Sequence, residues 1–119
     1  MDGIMNDNDI THALTRVPGW RRDGNTLIRL IHTENWKSTL LLAGAIGHLV
    51  ELAWHHPTLT LNYNSVEIRL YTHSEGGITP KDFALAEKIN TFIDWQPARE
   101  GVLEGTPDAP EHRYLRLGR

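Results

Sequence analysis

The sequence contains no cysteine. That excludes disulfides, thiolate metal sites and thiol nucleophiles together, and it fits a reducing compartment, with the cytosol as the default. Positive charge is also scarce: 12 Lys and Arg stand against 15 Asp and Glu, a net charge of -3. The basic excess of a nucleic-acid-binding domain is missing and no basic run replaces it, so no nucleic-acid partner is expected. A membrane partner is not expected either. The longest apolar stretch, Leu40 to Trp54, is too short to span a bilayer and is broken by His48 and Glu51, so it reads as a buried helix. The opening MDGIMNDNDI lacks a basic region followed by an apolar one, and no secretory signal is expected from it. Internal repeats and low-complexity segments are absent. What remains, at 119 residues, has the size of one domain and can bury about two-thirds of the surface its unfolded chain exposes.

The elements follow from periodicity and punctuation. Ile10, Leu14 and Val17 mark one face of a short helix that Pro18-Gly19 ends. Trp20 opens a strand, Asp23-Gly24 is a hairpin turn, and Leu27 to His32 returns as a second strand. Thr33-Glu34-Asn35 offers caps for a long helix with two apolar sets. Trp36, Leu40, Ala43, Gly47, Val50 and Trp54 form one; Leu41, Leu42, Ala45, Leu49 and Leu52 form the other. A helix this apolar around its circumference needs cover beyond one sheet, and another subunit would supply it. After Pro57, Leu59, Leu61 and Tyr63 alternate as a strand, Asn64-Ser65 is a turn, and Val66, Ile68 and Leu70 return. Thr79-Pro80-Lys81-Asp82 starts a last helix as a capping box with Pro at its first position. The expected fold is α+β: a two-layer, four-stranded antiparallel sheet with helices on one face, in the order α-ββ-α-ββ-α, over residues 1–96. Residues 97–119 are a Pro- and Gly-rich extension, in which Arg113 to Leu117 should dock in extended form along a sheet edge or a neighbouring subunit.

Three of the seven histidines lie between Glu51 and Asp82, in the pattern Glu51-x3-His55-His56-Pro57-x5-Tyr63-x9-His73-x8-Asp82. Imidazole titrates near neutral pH and can donate or accept a proton, so three of them facing one pocket would suit acid-base catalysis. Glu51 and His55, four apart, would share a helix face. Strict alternation puts His73 in phase with Glu67, Arg69 and Tyr71, away from the apolar side, unless a bulge re-aims it.

This pattern, with Gly19-Trp20 and the Arg29 strand before it, resembles the pterin-4a-carbinolamine dehydratases, whose animal members double as a dimerisation cofactor of a homeodomain transcription factor. The resemblance runs from about Leu14 to Ile93. It implies dehydration of 4a-hydroxytetrahydropterin to quinonoid dihydropterin, in tetrahydrobiopterin-type cofactor recycling, with no metal or organic cofactor. It further implies His55 and His73 as general acids at the leaving hydroxyl, and His56 as the group that binds the pterin and takes the N5 proton. Glu51 would hydrogen-bond within the site, Trp20 would line it, and Asp82 would orient a histidine. A pterin substrate and self-association as a dimer or tetramer are the implied partners. Trp54 and Leu59 depart from the family pattern, which more often has a polar residue before the histidine pair and an aromatic two after the proline.

Plainer readings compete. His55 and His56 could end a helix whose dipole suits their cationic forms, and the capping box alone accounts for Asp82. A lone Trp20 is commonly core. Zinc could be held by three imidazoles, or by two and a carboxylate, but side chains one apart on a helix diverge by about 100°, so no metal is assigned. A dehydratase-fold scaffold or assembly factor without activity is the alternative to an enzyme; the intact histidine set favours the enzyme.

Overall fold

The computed structural model describes residues 3–116 of the chain. Its elements are α1 (Asp7–Leu14), β1 (Trp20–Asp23), β2 (Thr26–His32), α2 (Trp36–Ala53), β3 (Thr58–Asn62), β4 (Ser65–Leu70) and α3 (Pro80–Ile93). The tail adds α4 (Pro97–Glu100) and a 3₁₀ turn at Pro110–His112. The strands form one antiparallel sheet in the order β1-β2-β4-β3. This is the α+β arrangement expected from the sequence, with the expected order of elements.

Each main helix starts where a polar side chain meets its free N–H groups. Asn6 accepts from the Asp9 amide at 2.8 Å and Asn35 from the Ser38 amide at 3.0 Å. Thr79 and Asp82 form the full capping box, with Pro80 opening α3.

Residues paired across strands share a sheet face. Leu27, Ile31, Val66, Ile68 and Leu70 face the helices and meet Leu42, Ile46, Val50, Phe83, Ala86 and Ile89 in one core. The other face carries Asp23, Thr26, Ile28, Thr58, Glu67 and Arg69. Ile28 is buried there outside the main core.

Two expectations need correction. The buried ridge of α2 is Ser38, Thr39, Leu42, Ile46 and Val50, which coincides with neither apolar set. Thr39 explains the rotation: its hydroxyl lies 2.6 Å from the Thr33 hydroxyl and donates to the Tyr63 carbonyl at 3.0 Å, turning the first helical turn inward on its polar side. Trp36, Leu40, Leu41 and Leu52 are left in water. The second correction is the β3–β4 turn, which is Tyr63-Asn64 rather than Asn64-Ser65, because Asn62 pairs with Ser65. The Tyr63 and Asn64 carbonyls accept from Thr39 and from the Thr33 amide, so this turn is pinned to the start of α2, and the Tyr63 ring is exposed.

The tail docks in extended form at Tyr114–Arg116. The Glu34 amide donates to the Tyr114 carbonyl at 3.0 Å, and the Arg116 amide donates to the His32 carbonyl at 2.9 Å. Thr33, pointing the other way, donates to Asn64. The tail therefore occupies the β2 edge beyond the end of four-residue β1. Arg116 clamps it with two bonds to the Glu34 carboxylate, at 2.9 and 3.0 Å. Leu117 lies outside the described residues.

Candidate active site

The site begins with the way α2 ends. Trp54 adopts φ 52°, ψ 44°, the left-handed conformation usually given to glycine. The His55 amide reaches back to the Val50 carbonyl at 3.3 Å, and the Trp54 amide to Glu51 at 3.3 Å, so the last helical carbonyls are satisfied by a Schellman-type closure. A bulky residue in this conformation is strained. Trp54 as a residue is 73% exposed, and its ring lies edge-on to His56, centroids 4.9 Å apart. Both histidines thus follow the helix instead of ending it, and in the extended segment before β3 they alternate in direction.

His55 turns to the helix side. Its Nε2 lies 2.6 Å from Asp82 Oδ1, and the Asp82 carboxylate is 0% exposed. Asp82 Oδ2 accepts from the Thr72 hydroxyl at 2.8 Å and the Thr79 amide at 2.9 Å. With donors already on Oδ2, the carboxylate acts as acceptor, and His55 is the donor at Nε2. Asp82 therefore serves both as cap and as the partner of an imidazole; the two readings of it are not exclusive.

His56 turns to the other face, where its Nε2 lies 2.9 Å from Glu51 Oε1. The expected sharing of a face by Glu51 and His55 is corrected here: the helix stops at Ala53, so Glu51 meets His56, five residues on. His73 needs no bulge. It follows Arg69 and Tyr71 in phase past the end of β4, with its ring edge-on to Tyr71 at 4.9 Å.

His56 and His73 line one cleft of about 270 Å³ together with Asn25, Thr26, Thr58, Arg69 and Tyr71. That volume lies near the lower end for small-molecule sites and suits a compact heterocycle. The cleft opens at one end of the helix-free face, where the β1–β2 turn, the start of β3 and the end of β4 come together. His55 and Glu51 do not line it: His55 is held by Asp82 on the helix side, and Glu51 meets the cleft only through His56. Trp20 is elsewhere: it is buried in the core, its indole N–H donating to Asn90 Oδ1 at 2.8 Å. The same oxygen accepts from Arg29, and the Asn90 amide donates to the Pro18 carbonyl at 2.9 Å. Among the described residues no cluster of three or more His, Asp or Glu is placed to hold a metal.

A model of the family described as Pterin 4 alpha carbinolamine dehydratase matches residues 4–92. The chain belongs to the pterin-4a-carbinolamine dehydratase family. Relatives named, provisionally, as pterin-4-alpha-carbinolamine dehydratases include one from Thermomicrobium roseum, 39% identical over 71% of this chain and 91% of that protein. Another, from Natronomonas pharaonis, is 39% identical over 79% of this chain and 100% of its own length. A crystal structure described as a transcriptional coactivator/pterin dehydratase from Brucella melitensis is similar with a TM-score of 0.70 and 25% identity, covering 75% of this chain and 97% of that one. No helix among the described residues is long and apolar enough to cross a membrane.

The sequence reading missed Asn25, Thr26, Thr58, Arg69 and Tyr71 as cleft residues. A signal was there: Arg69 and Tyr71 share the alternation parity of His73, and Thr58 stands two residues after His56.

Proposed function

We propose that this protein dehydrates a 4a-hydroxytetrahydropterin to the quinonoid dihydropterin in the cytosol, using imidazole acid-base chemistry. The observation that carries the reading is that His56 and His73, distant in sequence, line one cleft in a chain of this family. The C4a–O bond breaks as the hydroxyl takes a proton from an imidazolium and leaves as water. The N5–H proton passes to a neutral imidazole, and the N5 electron pair closes the C4a=N5 double bond. His73 serves as acid at the hydroxyl and His56, steadied by Glu51, as base at N5. The family resemblance makes His55 the second acid; it is held by Asp82 and stands outside the cleft lining. Each positioned group contributes on the order of 10²- to 10⁴-fold.

The test is decay of the 4a-carbinolamine absorbance with chelator present, for the native protein and four variants. His55→Ala and His73→Ala should each lower the rate at least about tenfold, whereas His48→Ala and His112→Ala should not. Equal rates in all four would remove the mechanism.

Self-association is part of the same proposal. Leu40, Leu41 and Leu52 with Trp36 leave α2 apolar on its outer side, and single chains rarely carry apolar patches beyond a few hundred Å². That surface is also what favours the second reading, a scaffold on the same fold. Lack of any acceleration by the native protein would favour the scaffold.

A further inference from the structure

The tail builds a second cavity, which shares no residue with the histidine cleft. Beyond α3 the chain runs out through α4 and turns back at Gly105, whose φ of 79° lies in the left-handed region. A Cβ there would stand 3.3 Å from the Ala98 Cβ, so glycine permits both the turn and the close approach to α4. The returning chain, held to β2 and Glu34 at Tyr114 to Arg116, faces Leu42 of α2 and the end of α3 across a cavity of about 510 Å³. That is within the usual range for small-molecule sites. Leu42 and Ile93 are its buried lining, and Phe92 and Trp95 are its exposed aromatic lining. Two charged side chains line it as well, Arg113 and Asp108. Neither makes an ion pair or a side-chain hydrogen bond, with the other or with any other described residue. Arg116, by contrast, is held by two bonds to Glu34.

An apolar cavity with one unspent charge of each sign narrows its ligand by elimination. A monoanion that reached Arg113 would bring its charge toward Asp108, and a monocation on Asp108 would meet Arg113. An uncharged apolar compound would draw both charges from water and give neither a partner. A zwitterion with an apolar body meets all three demands. Its carboxylate accepts from the Arg113 fork, its ammonium donates to Asp108, and its side chain lies against Phe92 and Trp95, where an aromatic ring gains more than its buried area alone supplies. We propose that this cavity binds a free α-amino acid with an aromatic side chain, at a site separate from the histidine cleft. The proposal stands on the tail and the helix ends, and does not depend on the reaction assigned to that cleft.

Ligand-observed NMR titration of the full-length protein at neutral pH tests it, with L-phenylalanine and compounds that each lack one part: phenethylamine without the carboxylate, hydrocinnamate without the ammonium, and L-alanine without the ring. L-Phenylalanine should bind at least about tenfold more tightly than each, the low end for a hydrogen bond to a charged group. Arg113→Gln should weaken L-phenylalanine about tenfold and leave phenethylamine unchanged, since that compound has nothing for Arg113 to hold. Asp108→Asn should weaken L-phenylalanine by a similar factor and leave hydrocinnamate unchanged or tighter. Both side chains are exposed, and melting curves check that each variant is folded. Hydrocinnamate or phenethylamine binding as tightly as L-phenylalanine, or a folded variant that keeps its L-phenylalanine affinity or loses all the ligands alike, overturns the zwitterion. Absence of L-phenylalanine binding at millimolar concentration overturns the site, and Trp95 shielded from a collisional quencher in the same sample would then give the cavity to a second copy of the chain.

Discussion

Asp82 shows how a single buried carboxylate ties stability to chemistry. It closes the capping box of α3, accepts from Thr72 and faces His55, all without exposure to water. Asp82→Ala should cost about 1 kcal/mol for the cap and a further 1–3 kcal/mol for donors left unpaired in the core. A fall of several degrees in melting temperature, with loss of the His55 contribution to rate, is the expected outcome. His55→Ala should also destabilise, because it leaves the buried Asp82 Oδ1 without its hydrogen-bond donor. Activity of that variant must therefore be compared well below its own melting temperature. Trp54 is the opposite case. Its left-handed backbone costs roughly 1–2 kcal/mol, and its ring buries little. Trp54→Gly gives back part of this through the freedom of the unfolded glycine, about 0.5–1 kcal/mol, and should leave a net stabilisation of up to about 1 kcal/mol in a denaturant melt. No change or a loss would mean that the edge contact with His56 is worth more than the strain.

At the level of elements, the fold was legible because each signal was local. Asn35 and Thr79 cap the helices they precede, Asp23-Gly24 turns the first hairpin, and alternation from Val66 to Leu70 keeps its apolar side inward. Of the candidate site residues, His56 and His73 line the cleft and Glu51, His55 and Asp82 pair beside it, whereas Trp20 lies in the core, and none of the pairings was legible. Pro57 marked the end of α2, yet the helix had already stopped at Ala53, because a left-handed Trp54 does what a sequence normally announces with glycine. That shift re-paired Glu51 with His56 and gave His55 to Asp82, an interaction across 27 positions that spacing alone does not specify. The α2 face was misjudged for a related reason: Thr39 is polar, and its burial depends on Thr33 and the Tyr63 carbonyl. Thr39→Val should confirm the cause. Leaving the Tyr63 carbonyl short of its donor should lower stability by about 1–3 kcal/mol in a thermal melt despite the more apolar side chain.

On the scale of the molecule, the tail makes the domain larger than the matched family region, 4–92. Truncation after Pro97 should lower the melting temperature or the assembly state while leaving the histidine chemistry mostly intact; unchanged mass and melting temperature would show the tail to be a solvated appendage. Burial raises the Tyr114 phenol above its ordinary pKa. The tail's contribution is therefore whole below the unfolded value, about 10, and is lost as pH rises through the higher folded value. Tyr114→Phe should remove that alkaline loss in melts taken above pH about 10. Sedimentation should show an oligomer at micromolar concentration, and a monomer would contradict the proposed use of the outer α2 surface. The two sides of the sheet are served by two adjacent imidazoles, told apart only by whether their position in the extended segment is odd or even. One residue added or deleted between Trp54 and Pro57 would exchange their destinations, sending the wrong ring to Asp82 and the wrong ring to the cleft. The length of this short crossing is therefore as tightly specified as the identity of the two rings it carries.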